Sequence, residues 1–348
     1  MPASCATPSS FSAGPDAVPV LSIGVAARNE EATIARTLQS IDQALAALPE
    51  PTPAEVIVAV NGTTDRTREI AESHAARRRA DTAYHVIESS PGLIEAQRAI
   101  ARLASAPDFL IFVDADCVLD EQCLRELVAA MTDRPQTQAA WATRVLVTSQ
   151  PRGVWQAILN FGDYHRDVVR RGHYIVGQAF AIRRYDVPYG STHGPATDPR
   201  LRRYLQLERG PMSDDAFLSR SLISRYGPES LHHASAAVVY CQPMSSIRDL
   251  YRSQRRKAYE VLRLDLLFPE MRTIRGRFFG RRIDDAAYAR LSPAERWQCR
   301  VYTVLYSGLW RFAQFQLAFA LRMLRWGVPL RPCNVWPVVE GTKKPFAI

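Results

Sequence analysis

The sequence predicts an α/β protein, with a mostly parallel sheet flanked by helices and a helical, basic C-terminal extension. Short apolar runs at residues 19–26, 55–60, 84–87 and 109–113 have the length of buried strands. Stretches with helical apolar spacing separate them, so the order reads βαβαβαβ, which demands parallel strands and right-handed crossovers. The first, second and fourth runs each end in a polar turn, the edge where sheets of this kind gather their ligands.

The first run, PVLSIGVA from Pro19, leads into Arg28-Asn29-Glu30-Glu31 and then a helix from Ala32 to Ala47 spaced by Ile34, Leu38, Ile41 and Leu45. No GxGxxG follows this strand, so the dinucleotide fingerprint is absent. Glu55 to Val60 is the second strand. Asn61-Gly62-Thr63-Thr64-Asp65 is a turn, and Thr64 or Asp65 is placed to cap a helix from Arg66 to Arg77. Tyr84 to Ile87 is a short third strand, and Gly92 to Ala104 a third helix. The fourth strand, Phe109 to Val113, is β-branched and aromatic, as a central strand covered on both faces should be. It runs into Asp114-Ala115-Asp116.

With 348 residues the chain can form one large α/β domain and a smaller appendage. Its net charge of +9 is concentrated at one end: from residue 241 onward there are 20 Lys/Arg against 8 Asp/Glu. That end suits a polyanionic partner, whether substrate phosphates, an anionic membrane or nucleic acid. The six cysteines form no CxxC pair, which suggests neither a zinc site nor a disulfide framework and points to a reducing compartment. No signal peptide is evident, and residues 1–18, rich in Ala, Ser and Pro, read as a disordered tail.

Asp114 and Asp116 carry the chemistry. In an extended segment alternate residues point the same way, and two carboxylates so placed repel unless a cation lies between them. A hard, oxygen-seeking ion, Mg²⁺ or Mn²⁺, fits. The bland alternative is a polar turn closing a core strand. Further on, Asp214 and Asp215 stand at the start of a helical stretch, Ala216 to Arg225. By local chemistry they are a cap and first-turn charge favoured by the helix dipole.

The segments SIGVAARNEEATIARTLQSI, EVIVAVNGTTDRT and FLIFVDADCVLD, in this order, resemble the nucleotide-sugar-binding half of an inverting family 2 glycosyltransferase of GT-A fold. GQAFAIRR (Gly177 to Arg184) resembles the family's segment under the acceptor site. PMSDDAFLSRSLISRYG (Pro211 to Gly227) resembles its Glu-Asp motif, and SQRRKAYE (Ser253 to Glu260) its basic Gln-x-x-Arg-Trp region. The resemblance covers residues 19–260 and implies a nucleoside-diphosphate-sugar donor, Mn²⁺ or Mg²⁺, and single displacement with inversion at the sugar. It implies that Asp116 and Asp114 hold the metal, that Asp215 is the catalytic base and that Asp214, where the family has Glu, supports it. Donor binding is implied for Ala26, Arg28, Glu30, Asn61, Asp114, Arg98, Gln254 and Arg256. Asn61 stands where the family has a uracil-contacting Asp, and the family's aromatic near Arg256 is replaced by Ala258. Each has a bland reading: a turn Asn beside Gly62, a solvated Arg98, a solvated cationic helix face. Arg183 and Arg184 read equally as phosphate contacts or as a surface pair. His232 and His233 read as ordinary core or surface histidines rather than metal ligands.

The domains expected are thus a GT-A domain at 19–242 and a helical, basic region at 243–348. Within the latter, Val301 to Leu324 is aromatic and aliphatic but interrupted by Arg311. It reads as a helix lying on a membrane interface, as a packing helix, or least well as a span with a costly central charge. The expected enzyme is a cytoplasmic glycosyltransferase, peripheral on the inner membrane face if the helix is interfacial. Its acceptor would be lipid-linked, a polysaccharide or a small molecule, and no nucleic acid is expected. The alternatives are a nucleotidyltransferase, for which AARNEE is not the required Gly-rich basic loop, and a silent nucleotide-sugar-binding protein.

Overall fold

A computed structural model of the chain describes residues 21–49, 52–77, 82–105, 108–147, 153–161, 169–171, 173–188, 198–279 and 281–333. The tail expected at 1–18 and the last residues of the C-terminal region, 334–348, lie outside them.

Four parallel strands open the fold: β1 (Leu21–Ala27), β2 (Ala54–Val60), β3 (Thr82–Glu88) and β4 (Leu110–Asp114), hydrogen-bonded in the order β3-β2-β1-β4. Their crossovers are α1 (Ile34–Ala46), α2 (Thr67–Ala75) and α3 (Leu93–Leu103). The apolar runs are continuous because both sheet faces are covered. Ile23 and Val25 of β1, with Ile111 and Val113 of β4, pack with Ile34, Leu38 and Ile41 of α1. Leu110 and Phe112 of β4 face the other way, toward Ile94, Ala96 and Ile100 of α3. Gly24 permits that second layer: a Cβ there would lie 2.5 Å from Ile100 Cγ2.

After β4 the pairing becomes mixed. The chain continues with β5 (Cys117–Leu119), α4 (Cys123–Thr132), β6 (Ala139–Leu146), α5 (Val154–Asn160), β7 (Val169–Arg171) and β8 (Ala179–Ile182). There follow α6 (Pro199–Leu205), α7 (Asp214–Tyr226) and β9 (Leu231–Cys241). The eight-stranded sheet has the order β3-β2-β1-β4-β8-β6-β9-β5, and four of its seven neighbouring pairs are parallel. This is the mostly parallel, helix-flanked α/β sheet expected of the GT-A fold. β9 opens on the mixed sequence LHHAS rather than on an apolar run. Its first half pairs with β6 from Leu231, ahead of a register shift at Ala142/Thr143, so polar His232 and His233 are part of the strand.

Beyond β9 lie α8 (Ile247–Leu267), α9 (Arg272–Phe278), β10 (Arg281–Ile283, paired with β7), α10 (Asp285–Arg290) and α11 (Pro293–Arg325). Ser292 and Glu295 form a capping box at the start of α11. This helix packs on the rest of the protein: Leu317 and Leu324 join Tyr204, Tyr259 and Leu267 in one buried cluster, and Phe312 lies 5.8 Å from the Tyr251 ring. Among the described residues, no helix is long and apolar enough to cross a membrane.

Candidate active site

Asp114 is the last residue of β4, and Asp116 sits in the two-residue turn before β5. Their carboxylates therefore meet through a turn and not, as the sequence suggested, through alternation along one strand. Thr37 of α1 holds that turn: its Oγ1 lies 2.8 Å from Ala115 O and 2.7 Å from Cys117 O. The Asp114 N–H donates to Gln178 O at 2.9 Å, which ties the turn to the segment before β8.

The ligand atoms of Asp114, Asp116 and Cys117 lie within 4.8 Å of one another. Burial pushes the Asp114 carboxyl well above the usual carboxylate range, and Asp116, Asp214, Asp215 and Glu30 add to it. So much negative charge around a half-buried carboxylate calls for a cation. The two carboxylates fit a hard divalent ion. The thiol does not. Cys117 Sγ is 2.9 Å from Cys241 Sγ, and burial together with that contact holds its pKa well above the usual thiol value. A protonated sulfur is a poor partner for Mg²⁺ or Mn²⁺. Asp114 and Asp116 would hold the ion, and the ion would supply charge neutralisation for a leaving phosphate.

Asp214 and Asp215 open α7. Asp214 is buried, and Gln97 Nε2 of α3 donates to its Oδ2 at 2.6 Å; Tyr185 Oη in turn donates to Gln97 Oε1 at 2.8 Å. Burial and the neighbouring Asp215 raise its pKa to about 6. Asp215 is only partly buried. The Ser213 hydroxyl donates to its Oδ1, as does the Ala216 N–H at 2.7 Å. Gly177 lies beside it: a Cβ at that position would be 3.7 Å from Asp215 Cβ. One carboxylate is thus locked by amide and phenol, and the other is oriented but open.

Helix α8 closes the site. Burial lowers the Arg256 pKa, while Asp215, Asp114, Tyr174 and Asp214 pull it back up, so its guanidinium stands among the carboxylates of both motifs. One turn on, buried Glu260 accepts from the N–H groups of Met212 (2.8 Å) and Ser213 (3.2 Å) and from Arg263 Nε (3.0 Å). Arg263 also donates to the carbonyls of Leu205, Gln206 and Gly210. This pair fixes the segment that leads into Asp214. Neither residue was singled out from the sequence, although an acid–base pair three apart inside an apolar helical stretch is a visible signal. Thr37 and Gln97 gave no signal at all, because a Thr or Gln in an amphipathic helix looks like any other.

The remaining residues expected to bind the donor sit at the C-terminal edge of the parallel strands. Ala26 is in register with Asp114 and Ala59. Asn61 is buried just after β2, and its N–H donates to Ala27 O at 3.0 Å. Gly62 follows with φ of 67°. Glu30 is buried near Asp114, its N–H donating to Thr67 Oγ1 at 2.7 Å, and Arg28 is exposed.

Two expected donor contacts are corrected. Arg98 is neither solvated nor directed at a ligand: its Nε donates to Val187 O at 3.0 Å, and its other nitrogens bond Pro188 O and Glu95, so it anchors the 187–188 loop. Gln254 is fully buried, with neither amide atom hydrogen-bonded among the described residues. Two residues from Arg256, it is turned by about 160° onto the stripe of Leu250 and Ala258. Arg183 is likewise structural, donating to Thr137 O at 2.7 Å and Met131 O at 2.6 Å. His233 stacks on Trp141 at 5.5 Å and contacts Thr143, as an ordinary strand histidine does.

Residues 22–188 match the family model described as glycosyl transferase family 2. The chain is 33% identical over 115 residues to validoxylamine A glucosyltransferase of Streptomyces hygroscopicus subsp. limoneus, a match covering 32% of this chain and 24% of that protein. The chain thus spans about a quarter of the length of that relative. Among solved structures it is similar to a mannosyltransferase of Pyrobaculum calidifontis in complex with GDP-Man and Mn²⁺ (18% identity, TM-score 0.47, 92% of this chain and 86% of that one). It is also similar to glucosyl-3-phosphoglycerate synthase of Mycobacterium tuberculosis in complex with Mn²⁺, UDP-glucose and phosphoglyceric acid (16% identity, TM-score 0.46, 71% and 80%). The Asp114-x-Asp116 turn and the parallel strands that carry it lie within the segment, residues 22–188, that matches the glycosyl transferase family 2 model.

Proposed function

We propose that the protein transfers a sugar from a nucleoside-diphosphate-sugar to an acceptor hydroxyl by one metal-assisted displacement with inversion. The observation that carries this reading is the convergence of Asp114 and Asp116 with Asp214 and Asp215 in one electrostatic cluster, with a single helix bringing Arg256 among them. Asp114 and Asp116 would hold Mn²⁺ or Mg²⁺, which would supply charge neutralisation for the leaving diphosphate. Asp215 takes the proton as the acceptor oxygen bonds to the anomeric carbon. The bond from that carbon to the diphosphate breaks, and the diphosphate leaves with the electron pair, its charge met by Arg256. Asp214 acts as a positioning residue through Gln97. Ala26, Arg28, Glu30 and Asn61 form the pocket for the nucleoside. In this reading residues 19–242 are the transferase domain and 243–348 its helical extension.

Nucleotide release from a panel of UDP-, GDP-, ADP- and dTDP-sugars, with and without Mn²⁺, tests the reaction class. Release from one donor is expected only with the metal. Tight donor binding without release would leave a nucleotide-sugar-binding protein in place of an enzyme.

The membrane-peripheral part of the reading rests on the outer side of α11. Trp297, Val304, Phe312, Phe315, Phe319 and Trp326 are all exposed. At helical spacing they fall, together with Arg311 and Arg322, within an arc of about 100°. No acidic residue occurs from 296 to 325. Such a face suits an anionic bilayer surface. Sedimentation with phosphatidylglycerol vesicles should carry the protein down at low salt and less so at 0.5 M salt, at roughly a third of the low-salt Debye length or shorter. Failure to pellet at low salt removes the proposal.

A further inference from the structure

Cys117 and Cys241 stand opposite each other where β5 pairs antiparallel with β9. The Asp120 N–H donates to Val238 O at 3.0 Å, so these two residues form a hydrogen-bonded pair that continues the ladder. Such pairs alternate with non-hydrogen-bonded ones, and Cys117 and Cys241 fall on the second kind. There the Cα atoms approach to about 4.5 Å and the side chains are closest. That spacing lies inside the range a disulfide spans. The two sulfurs are 2.9 Å apart, both as free thiols. The residues are 124 positions apart in the chain, so no local motif announces them.

The pair is joined to the metal turn. Cys117 directly follows Asp116, and its S–H donates to Asp116 Oδ1 at 3.6 Å. Its carbonyl accepts from Thr37 Oγ1 at 2.7 Å. Cys241 is held on its other side by β6, where the Val147 N–H donates to Cys241 O at 2.9 Å. Both backbones are thus fixed by partners that a bond between the side chains leaves in place. Only the sulfurs need move, by about 0.9 Å, to reach bonding distance. Both residues are buried in the core, so an oxidant that reaches them must be small and uncharged.

We propose that Cys117 and Cys241 are a redox modification site, at which a peroxide forms a reversible cross-strand disulfide that ties the Asp116 turn to β9. One sulfur attacks a peroxide oxygen; the O–O bond breaks, and the thiol proton leaves with the other oxygen as water. The sulfenic acid so formed is attacked by the second sulfur. The S–S bond forms, the S–O bond breaks, and the oxygen leaves as a second water with the remaining thiol proton. Two electrons pass from the sulfurs to the peroxide. The second step joins groups already in contact, which favours the disulfide over further oxidation. The bond restrains the unfolded chain across 124 positions. It also takes an S–H donor from Asp116, so that carboxylate depends more on a cation.

The test treats the full chain with hydrogen peroxide, blocks the remaining thiols with iodoacetamide in denaturant, and maps the peptides by mass. A peptide joining Cys117 to Cys241, lighter than its two parts by two hydrogens and released by dithiothreitol, is expected. The oxidised, metal-free protein should melt at least about 3 °C higher than the reduced one. It should bind Mn²⁺ about 2- to 10-fold tighter by calorimetry, the worth of one neutral hydrogen bond. Dithiothreitol should reverse both changes in the unsubstituted protein, a comparison that does not depend on how any variant folds. Cys241→Ala and, separately, Cys117→Ser should show neither change after peroxide. Thiols at both positions still open to iodoacetamide, a bond from either to another cysteine, or conversion to sulfinic acid overturns the proposal. A disulfide that leaves Mn²⁺ affinity unmoved overturns its coupling to the metal turn. None of these readouts needs a sugar donor, so failure of the transferase reading would leave them standing.

Discussion

Asp215→Asn will leave donor binding within about 3-fold of the parent and reduce metal-dependent nucleotide release by about 10³-fold, inside the range a positioned general base supplies. The substitution keeps the shape and one acceptor oxygen, so the Ser213 hydroxyl and the Ala216 N–H retain their partner. What it removes is the ability to hold a proton from the attacking oxygen. Asp214→Asn makes the contrasting variant. That carboxylate is buried under Gln97, has a pKa raised to about 6, and reaches the reaction only through its neighbour, so its loss should cost far less. The measurement is calorimetric donor affinity beside initial rate. A parallel fall in both for Asp215→Asn would show that it binds the donor and is not the base.

Asp116→Ala will lower Mn²⁺ affinity by more than about 100-fold, beyond the 10–100-fold typical of residues that only support metal ligands. Donor binding with Mn²⁺ present should then fall to the level seen without it. The substitution has a second, opposite consequence. Asp114 is half-buried, and Asp116 contributes the largest of the like-charge repulsions acting on it. Removing that charge relieves the metal-free protein, so its thermal midpoint should hold or rise while the stabilisation by added Mn²⁺ disappears. A drop in the midpoint without metal would assign Asp116 to the fold rather than to the cation. Isothermal titration with Mn²⁺ and melts with and without it distinguish the two.

The first half of this architecture was legible because parallel strands covered on both faces leave unbroken apolar runs, as in Ile111-Phe112-Val113. The second half was not. β6 and the early part of β9 gain their place from pairing with each other across a register shift, and AAWATRVL or LHHAS does not carry that partnership in its own pattern. The carboxylates were legible too, since an acidic pair at a strand end and another at a helix start leave few interpretations. The basic residues were not. Arg98, Arg183 and Arg263 bond backbone carbonyls inside the protein, and nothing local in the sequence separates such an arginine from one that meets phosphate. Arg256, one helix turn from Glu260, is the exception: the resemblance named it for donor binding, and the carboxylates of both motifs act on its charge.

Within five residues, α8 sends Arg256 to the metal-side carboxylates and Glu260 to the backbone ahead of the base. A rigid helix cannot tilt for one of these without tilting for both. Whatever one substrate gains by settling that helix, the other inherits by the same factor, so the order in which the two arrive leaves the size of their mutual help unchanged.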